Sequence, residues 1–324
     1  MKISVLVPVY GVERYIRRCA ESLFRQTMTD GVEFIFVDDA SPDGSIGILR
    51  QVIAEHPGVD ARIVTHEKNK GVAAARHTAI GAARGEFFTF VDSDDYVDPE
   101  FLEHLYDKAL TEDADIVFSD IIEEQTGHNR IIRGVWAEGY EDLGIAVLVG
   151  GAISLISKLI RRSIYTEHAE CKTPDDMKVA EDYLLTIIIS HFSRKFARTD
   201  EALYHYDRTN ETSLTHGNAA DMMESIIRLW QYADEFFAKE YPDGRYADVI
   251  GEAKVRDKYD VLLYHNDMKA RRRYADLYRD EEGRHMWKLS RGVLAMAILV
   301  RYHLWPLVWA YSCYVDWRKR RAQK

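Results

Sequence analysis

The chain has 324 residues, 47% apolar and 30% charged, with a formal net charge of −10. That length holds one large domain with an appendage, or two domains, and the composition excludes a disordered chain and a polytopic membrane protein. The acidic balance argues against nucleic acid as a partner, although a bridging cation would still admit a phosphorylated ligand. From the start, Ile3 to Val9 reads as a central strand ended by Pro8 and Gly11. It begins without the apolar core and cleavage site of a signal peptide. Residues 12–28 then place Ile16, Cys19, Ala20, Leu23 and Phe24 on one helical face.

A second strand, Glu33 to Val37, ends in Asp38-Asp39-Ala40-Ser41. Ser45 to Ile53 reads as a helix, Ala61 to Thr65 as a short strand, and Gly71 to Ala83 as an alanine-rich helix closed by Gly85. The run Phe87-Phe88-Thr89-Phe90-Val91 reads as a strand buried on both faces, and Asp115 to Ser119 adds another. Such alternation predicts a mostly parallel sheet with helices on both faces. Cys19, Cys171 and Cys313 are odd in number and widely spaced, which fits a reducing cytosol.

Three strand ends deliver polar residues: Tyr10 with Glu13, Asp38 with Asp39, and Asp92-Ser93-Asp94-Asp95. Ligands of open α/β sheets bind beyond such ends. Three carboxylates within four positions repel one another, and a divalent cation is the usual remedy, with hard oxygen ligands suiting Mg2+ or Mn2+. The competing reading is a solvated acidic turn. A calcium loop is excluded by Val97, which stands where that loop needs glycine. Neither a G-x-G-x-x-G fingerprint nor a P-loop is present.

Four segments, ISVLVPVYGVERYI, FVDDASPDGS, NKGVAAAR and FVDSDD, occur in the order and spacing of the family 2 glycosyltransferases, and over its first half the chain resembles that family, of the bacterial surface-polysaccharide type. The resemblance implies a GT-A fold and inverting transfer of one sugar from a nucleoside-diphosphate sugar to a glycan or lipid-linked glycan. By position, Pro8, Val9 and Tyr10 would border the nucleobase, with Glu13 beside them, and Asp39 would accept from a uracil-like imide. Asn69, Gly71 and Arg76 match the donor loop, and Asp92 and Asp94 the metal pair. Ser93 and Asp95 would lie close to the donor.

Glu181-Asp182 opens an apolar helix and matches the family's acidic pair, which makes Asp182 the expected general base. The alternative is helix capping and dipole compensation. Lys158, in SKLIRR, and Arg208, after YHYD, match acceptor-side segments that would neutralise diphosphate or form surface salt bridges. His205 and His216 are candidates for a further metal or acceptor contact. The chain departs from the family at Gly11 and at His77-Thr78-Ala79, and it lacks the Q-x-x-R-W signature of processive synthases.

These patterns give three regions: a GT-A domain over 1–217, a helical extension over 218–290 and a tail over 291–324. Within the extension, residues 222–241 and 256–280 read as helices. Val293 to Val315 is almost wholly apolar and aromatic and is followed by Arg318-Lys319-Arg320-Arg321. Arg301 and Pro306 argue against a membrane span, and the expectation is helices lying on the inner face of the cell membrane. Two other readings are a nucleotidyltransferase, which would need a basic, glycine-rich triphosphate loop, and a non-catalytic glycan-binding subunit.

Overall fold

The structure, a computed structural model, describes residues 1–322 apart from positions 126, 152, 176, 178, 211–217 and 266; at 264, 316 and 318–322 it describes the backbone alone. The chain divides into two compact units, Met1–Ser213 and Leu214–Lys324. The extension and the tail expected as separate regions fall in one unit.

In the first unit, β1 (Ile3–Val9), β2 (Val32–Asp38), β3 (Ala61–Thr65) and β4 (Phe87–Phe90) pair in parallel in the order β3-β2-β1-β4. Alternate residues of β1 (Ile3, Val5, Val7 and Val9) join one core with Phe34, Phe36 and the buried face of α1 (Ile16–Phe24). That face consists of the five residues expected from the periodicity. Full burial of each large one among them contributes about 1.5–3 kcal/mol. Between β1 and β2 run α1 and the turn after it; α2 (Ser45–Glu55) and α3 (Val72–Ala82) connect the next strands.

Beyond β4 the sheet is mixed. β5 (Tyr96–Val97) and α4 (Phe101–Glu112) lead to β6 (Ile116–Gln125), which turns back as β7 (His128–Ile132). After α5 (Leu143–Gly150), β8 (Lys158–Arg161) inserts antiparallel between β4 and β6. α6 (Arg162–Glu167) and α7 (Glu181–His191) follow, and β9 (Phe196–Asp207) runs parallel to β6 and antiparallel to β5. The expected parallel character thus holds for β1–β4, where helices make the crossovers.

The two ends of the sheet treat acidic groups oppositely. At the start of β2, the buried Glu33 carboxylate accepts from Ser4 Oγ (2.6 Å), Arg84 N (2.7 Å) and Arg62 Nη1 (2.6 Å). Burial works against its charge, yet these donors hold its pKa down to about 2. At the other end β1 pairs with β4 only through Leu6, so Pro8, which has no N–H to give, lies beyond the last residue paired with β4. The strand order reverses between β1 and β4, which opens a crevice at their carboxyl ends.

The second unit is helical: α8 (Ala219–Glu240), α9 (Ala247–Tyr264), α10 (Met268–Arg273), α11 (Arg279–His285), α12 (Arg291–Arg301) and α13 (Trp305–Ala322). The helix expected over 256–280 is broken because Asp267 caps α10, accepting from Lys269 N (2.7 Å) and Ala270 N (3.2 Å). The fully buried Glu282 gathers Lys258 Nζ, Tyr259 OH (2.7 Å) and Arg301 Nη1 (2.9 Å), so Arg301 serves a buried ion cluster. Among the described residues, no helix is long and apolar enough to cross a membrane.

Gly85 enters β4 so closely that a Cβ would lie 2.6 Å from Ser4 N and 2.6 Å from Phe87 O, both backbone atoms. Gly85→Ala is therefore expected to lower unfolding free energy by about 2 kcal/mol or more, read by chemical denaturation.

Candidate active site

The crevice begins at the end of β1, where Val9 is buried, Pro8 is half-buried and Tyr10 is exposed. Glu13 Oε2 accepts from Gly44 N at 3.1 Å, tying the loop after β1 to the N-terminus of α2. Of the expected nucleobase border, Tyr10 is therefore the side chain open to a ligand, and Val9 belongs to the core.

At the end of β2, Asp39 organises the loop that leads into α3. Its Oδ1 accepts from Lys70 N (2.8 Å) and its Oδ2 from Gly71 N (2.8 Å). Gly71, at φ +93°, caps α3 in backbone space that L side chains rarely adopt. Asn69 lies immediately before this pair of amides. His66 Nδ1 is 2.7 Å from Asp39 Oδ1, and its Nε2 is 2.9 Å from Thr78 Oγ1. A carboxylate only accepts, so Nδ1 carries the proton; in the neutral ring Nε2 accepts from Thr78. The sequence reading missed His66; its position just after a strand was the available signal. His77, another departure from the family pattern, ties α3 to Tyr165 OH (2.6 Å) and Thr173 O (2.9 Å).

The acidic run after β4 separates into different roles. Asp95 is fully buried, with Oδ2 accepting from Tyr204 OH (2.6 Å) and Oδ1 from Asp207 N (2.9 Å). Burial first, then Asp94 and Asp92, push its pKa well above the usual carboxylate range. Asp95, expected close to the donor, thus has both carboxylate oxygens held by β9. The Tyr204 hydroxyl also accepts from Asp92 N (3.1 Å), so one buried phenol fixes both ends of the run. Ser93 is buried. Asp94 is half-buried; its Oδ2 accepts from Asn210 Nδ2 (2.8 Å), and burial and the Asp92 charge raise its pKa. Tyr204 and Asn210 lie far along the chain, the former inside a recognised segment and the latter without any motif.

Arg76 joins the motifs. Its buried guanidinium donates Nη2 to Asp92 Oδ1 (3.0 Å) and Nη1 to Glu181 Oε1, and it stands 5.6 Å from the Phe90 ring centroid. Burial opposes its charge, but Glu181, Asp92 and Asp182 together raise its pKa. Glu181 and Asp182 occupy the first turn of α7. Burial pushes Glu181 up to about 7 against the pull of Arg76. Asp182 is also raised, by burial before the opposing Arg76 and the reinforcing Asp92. Its Oδ1 accepts from Tyr183 N (2.9 Å), and its other oxygen has no protein partner among the described residues.

Strain gathers at this rim. Among the described residues, three of the six non-glycine residues with positive φ flank expected site residues: Ala40 after Asp39, Ser157 before Lys158 and Ala180 before Glu181. Lys158 is no surface ion pair: its buried ammonium donates to Ser154 O and lies 4.9 Å from the Phe118 ring, and burial lowers its pKa to about 7. Arg208 lies beside Glu123 (3.7 Å) and over the Tyr206 ring. His205 stacks on Tyr96 and meets Glu124 Oε1 at 3.0 Å, so it is held within the fold. His216 lies outside the described residues.

Among the described residues no three His, Cys, Asp or Glu side chains form a ready-made metal cage. Asp92 and Asp94 still suit a hard cation: each keeps one carboxylate oxygen without a protein partner among those residues. Mg2+ or Mn2+ held through two carboxylates would complete its shell with phosphate oxygens and water.

A crevice at the β1/β4 switch point, carboxylates at its rim and an acidic pair opposite define a glycosyltransferase of the GT-A fold. The chain belongs to the family 2 glycosyltransferases: the model Glycosyl transferase family 2 matches residues 4–164. It is 33% identical over 250 residues to the uncharacterized glycosyltransferase EpsJ of Bacillus subtilis, covering 74% of this chain and 70% of that one. It is also 33% identical over 211 residues to the poly(ribitol-phosphate) beta-glucosyltransferase of Bacillus spizizenii, covering 64% of this chain and 32% of that protein. Among solved structures, S. aureus TarS 1-349 in complex with UDP-GlcNAc superposes with TM-score 0.63 at 18% identity, covering 98% of this chain and 92% of that one. The mannosyltransferase PcManGT of Pyrobaculum calidifontis, in complex with GDP-Man and Mn2+, gives 0.57 at 16% identity, covering 100% and 88%.

Removing one partner from a buried charge cluster leaves the others uncompensated. Arg76→Met is accordingly expected to cost about 3–5 kcal/mol of unfolding free energy at neutral pH, measured in urea.

Proposed function

We propose that the enzyme transfers a single sugar, with inversion, from a nucleoside-diphosphate sugar to a hydroxyl of a glycan or lipid-linked glycan, with Asp182 as general base. One observation carries this reading: Arg76 holds Asp92 and Glu181 in a single cluster, so the donor-side carboxylates and the acidic pair serve one reaction centre. A uridine diphosphate sugar is the favoured donor. The family-derived role of Asp39 and the UDP-GlcNAc bound by TarS support it.

In this reading Asp92 and Asp94 would hold a divalent cation, Mn2+ or Mg2+. Bound there, it would act as a Lewis acid on the charge that gathers on the departing diphosphate. Asn69, Gly71 and the amides that Asp39 orders shape the donor loop, and Tyr10 flanks the base. Asp182, anchored through one oxygen by Tyr183 N–H, presents the other to the acceptor hydroxyl and takes its proton as the glycosidic bond forms. A raised pKa makes Asp182 a stronger base than an ordinary aspartate while leaving it ionised above its titration. Lys158, close enough to act on the charge of Asp182, opposes that rise. The enzyme works in the cytoplasm, at the inner face of the cell membrane, in the assembly of a surface polysaccharide.

Because the folded-state pKa of Asp182 is raised, its charge costs stability above the unfolded pKa, and a neutral amide removes that cost. Asp182→Asn should thus keep or raise Tm at neutral pH, retain donor binding and lose about 10²–10⁴ in kcat. In the wild type kcat/KM should fall on acidification at a pH above the ordinary aspartate range, near 4. An unchanged kcat in the variant would put the base elsewhere.

Donor and cation are tested by melting the wild type and Asp94→Ala with UDP, GDP or dTDP, with and without Mn2+. Stabilisation by a nucleotide at a hundred times its Kd is about 2.7 kcal/mol. It should need Mn2+ and vanish in the variant. A shift that ignores both Mn2+ and the substitution would remove these carboxylates from the donor site.

A further inference from the structure

The described part of α13 turns an apolar face outward. Leu307 (54%), Trp309 (62%), Tyr314 (50%) and Trp317 (54%) are exposed, while Val308 and Ser312 on the opposite side are buried. At about 100° per residue the outward residues span an arc of about 160°, wide for a helix face left to water. Tyr302 and Leu304 extend it into the break before α13. From Tyr302 to Val315 the sequence holds no Asp, Glu, Lys or Arg, and four consecutive basic residues occupy 318–321. Over residues 291–324 seven basic side chains stand against one acidic, in a chain whose net charge is −10.

We propose that this face is a docking surface for an anionic lipid bilayer, with α13 lying flat at the headgroup level. Apolar burial and basic charge act together in such contacts: Trp, Tyr and Leu enter the headgroup boundary while neighbouring cations meet lipid phosphate. Charge complementarity favours anionic lipid, because the sequence puts four consecutive basic residues directly after this apolar stretch. Geometry decides between lying and spanning. Eighteen residues reach about 27 Å, and the last turns carry the charges. The proposal deepens the membrane placement given above and depends on no feature of the donor site.

The test is co-sedimentation of the full chain with vesicles of phosphatidylcholine alone or with about a third phosphatidylglycerol. Binding is expected with phosphatidylglycerol and to weaken as salt rises from about 0.1 M to about 0.5 M. The variant carrying Leu307→Ser, Trp309→Ser and Trp317→Ser should lose at least about tenfold in partitioning. Its melting curve and nucleotide-induced shift should match wild type, since the three side chains are exposed; nucleotide binding therefore fails or holds independently of this proposal. Partitioning unchanged in the variant would overturn the assignment of the face. Absence of vesicle binding, with a dimer in wild type that the same variant converts to monomer, would overturn the lipid and make a second copy the occupant.

Discussion

The catalytic unit depends on one buried guanidinium. Arg76 sits among Asp92, Glu181 and Asp182, where negative charges would repel strongly in a medium that screens little. Lysine would not serve equally, since burial readily removes its proton, as the lowered pKa of Lys158 illustrates. Arginine stays charged throughout the accessible pH range and offers two donors in a fixed fork, one to each motif. That fork sets the spacing between the end of β4 and the first turn of α7. The Phe90 ring and the start of α3 fix where it stands.

The sheet sorts its charges by end. Glu33 is saturated with donors and contributes to stability. At the opposite end burial raises the pKa values of Asp94, Asp95 and, at the start of α7, Asp182, and the charge of Asp92 adds to each. A fold selected only for stability would not keep such a set. Asp92, Asp94 and Asp182 each keep a carboxylate oxygen without a protein partner among the described residues, and the rest of the domain bears the cost of burying them.

Much of this was readable before any coordinates. The four parallel strands follow from apolar runs ended by polar or turn residues, the five buried residues of α1 follow from helical periodicity, and the motifs pointed to the family. What escaped has physical causes. β5 and β8 are two and four residues long, too short for a pattern, and β8 runs antiparallel without a turn signal beside β4. Asp95 cannot be told from its acidic neighbours by residue type; only the direction the backbone gives each carboxylate separates a brace from a ligand. His66, Tyr204 and Asn210 act through contacts spanning 27 to 116 positions, which no local window sees. In the second unit the helical character was evident. The break at Asp267 turned on a cap that competes with a continuous apolar stripe.

The left-handed residues Ala40, Ser157 and Ala180 bear on how such an enzyme diversifies. Each holds a backbone state that costs about 1–2 kcal/mol and that glycine would adopt freely. Glycine would also loosen the unfolded chain, which takes back about 0.4–1 kcal/mol. The two effects largely cancel, so selection on stability is nearly blind to alanine-to-glycine drift at these points. Yet each point adjoins a residue of the site. Exchange to glycine at these points would therefore change backbone freedom beside expected site residues while leaving the stability of the fold almost as it was.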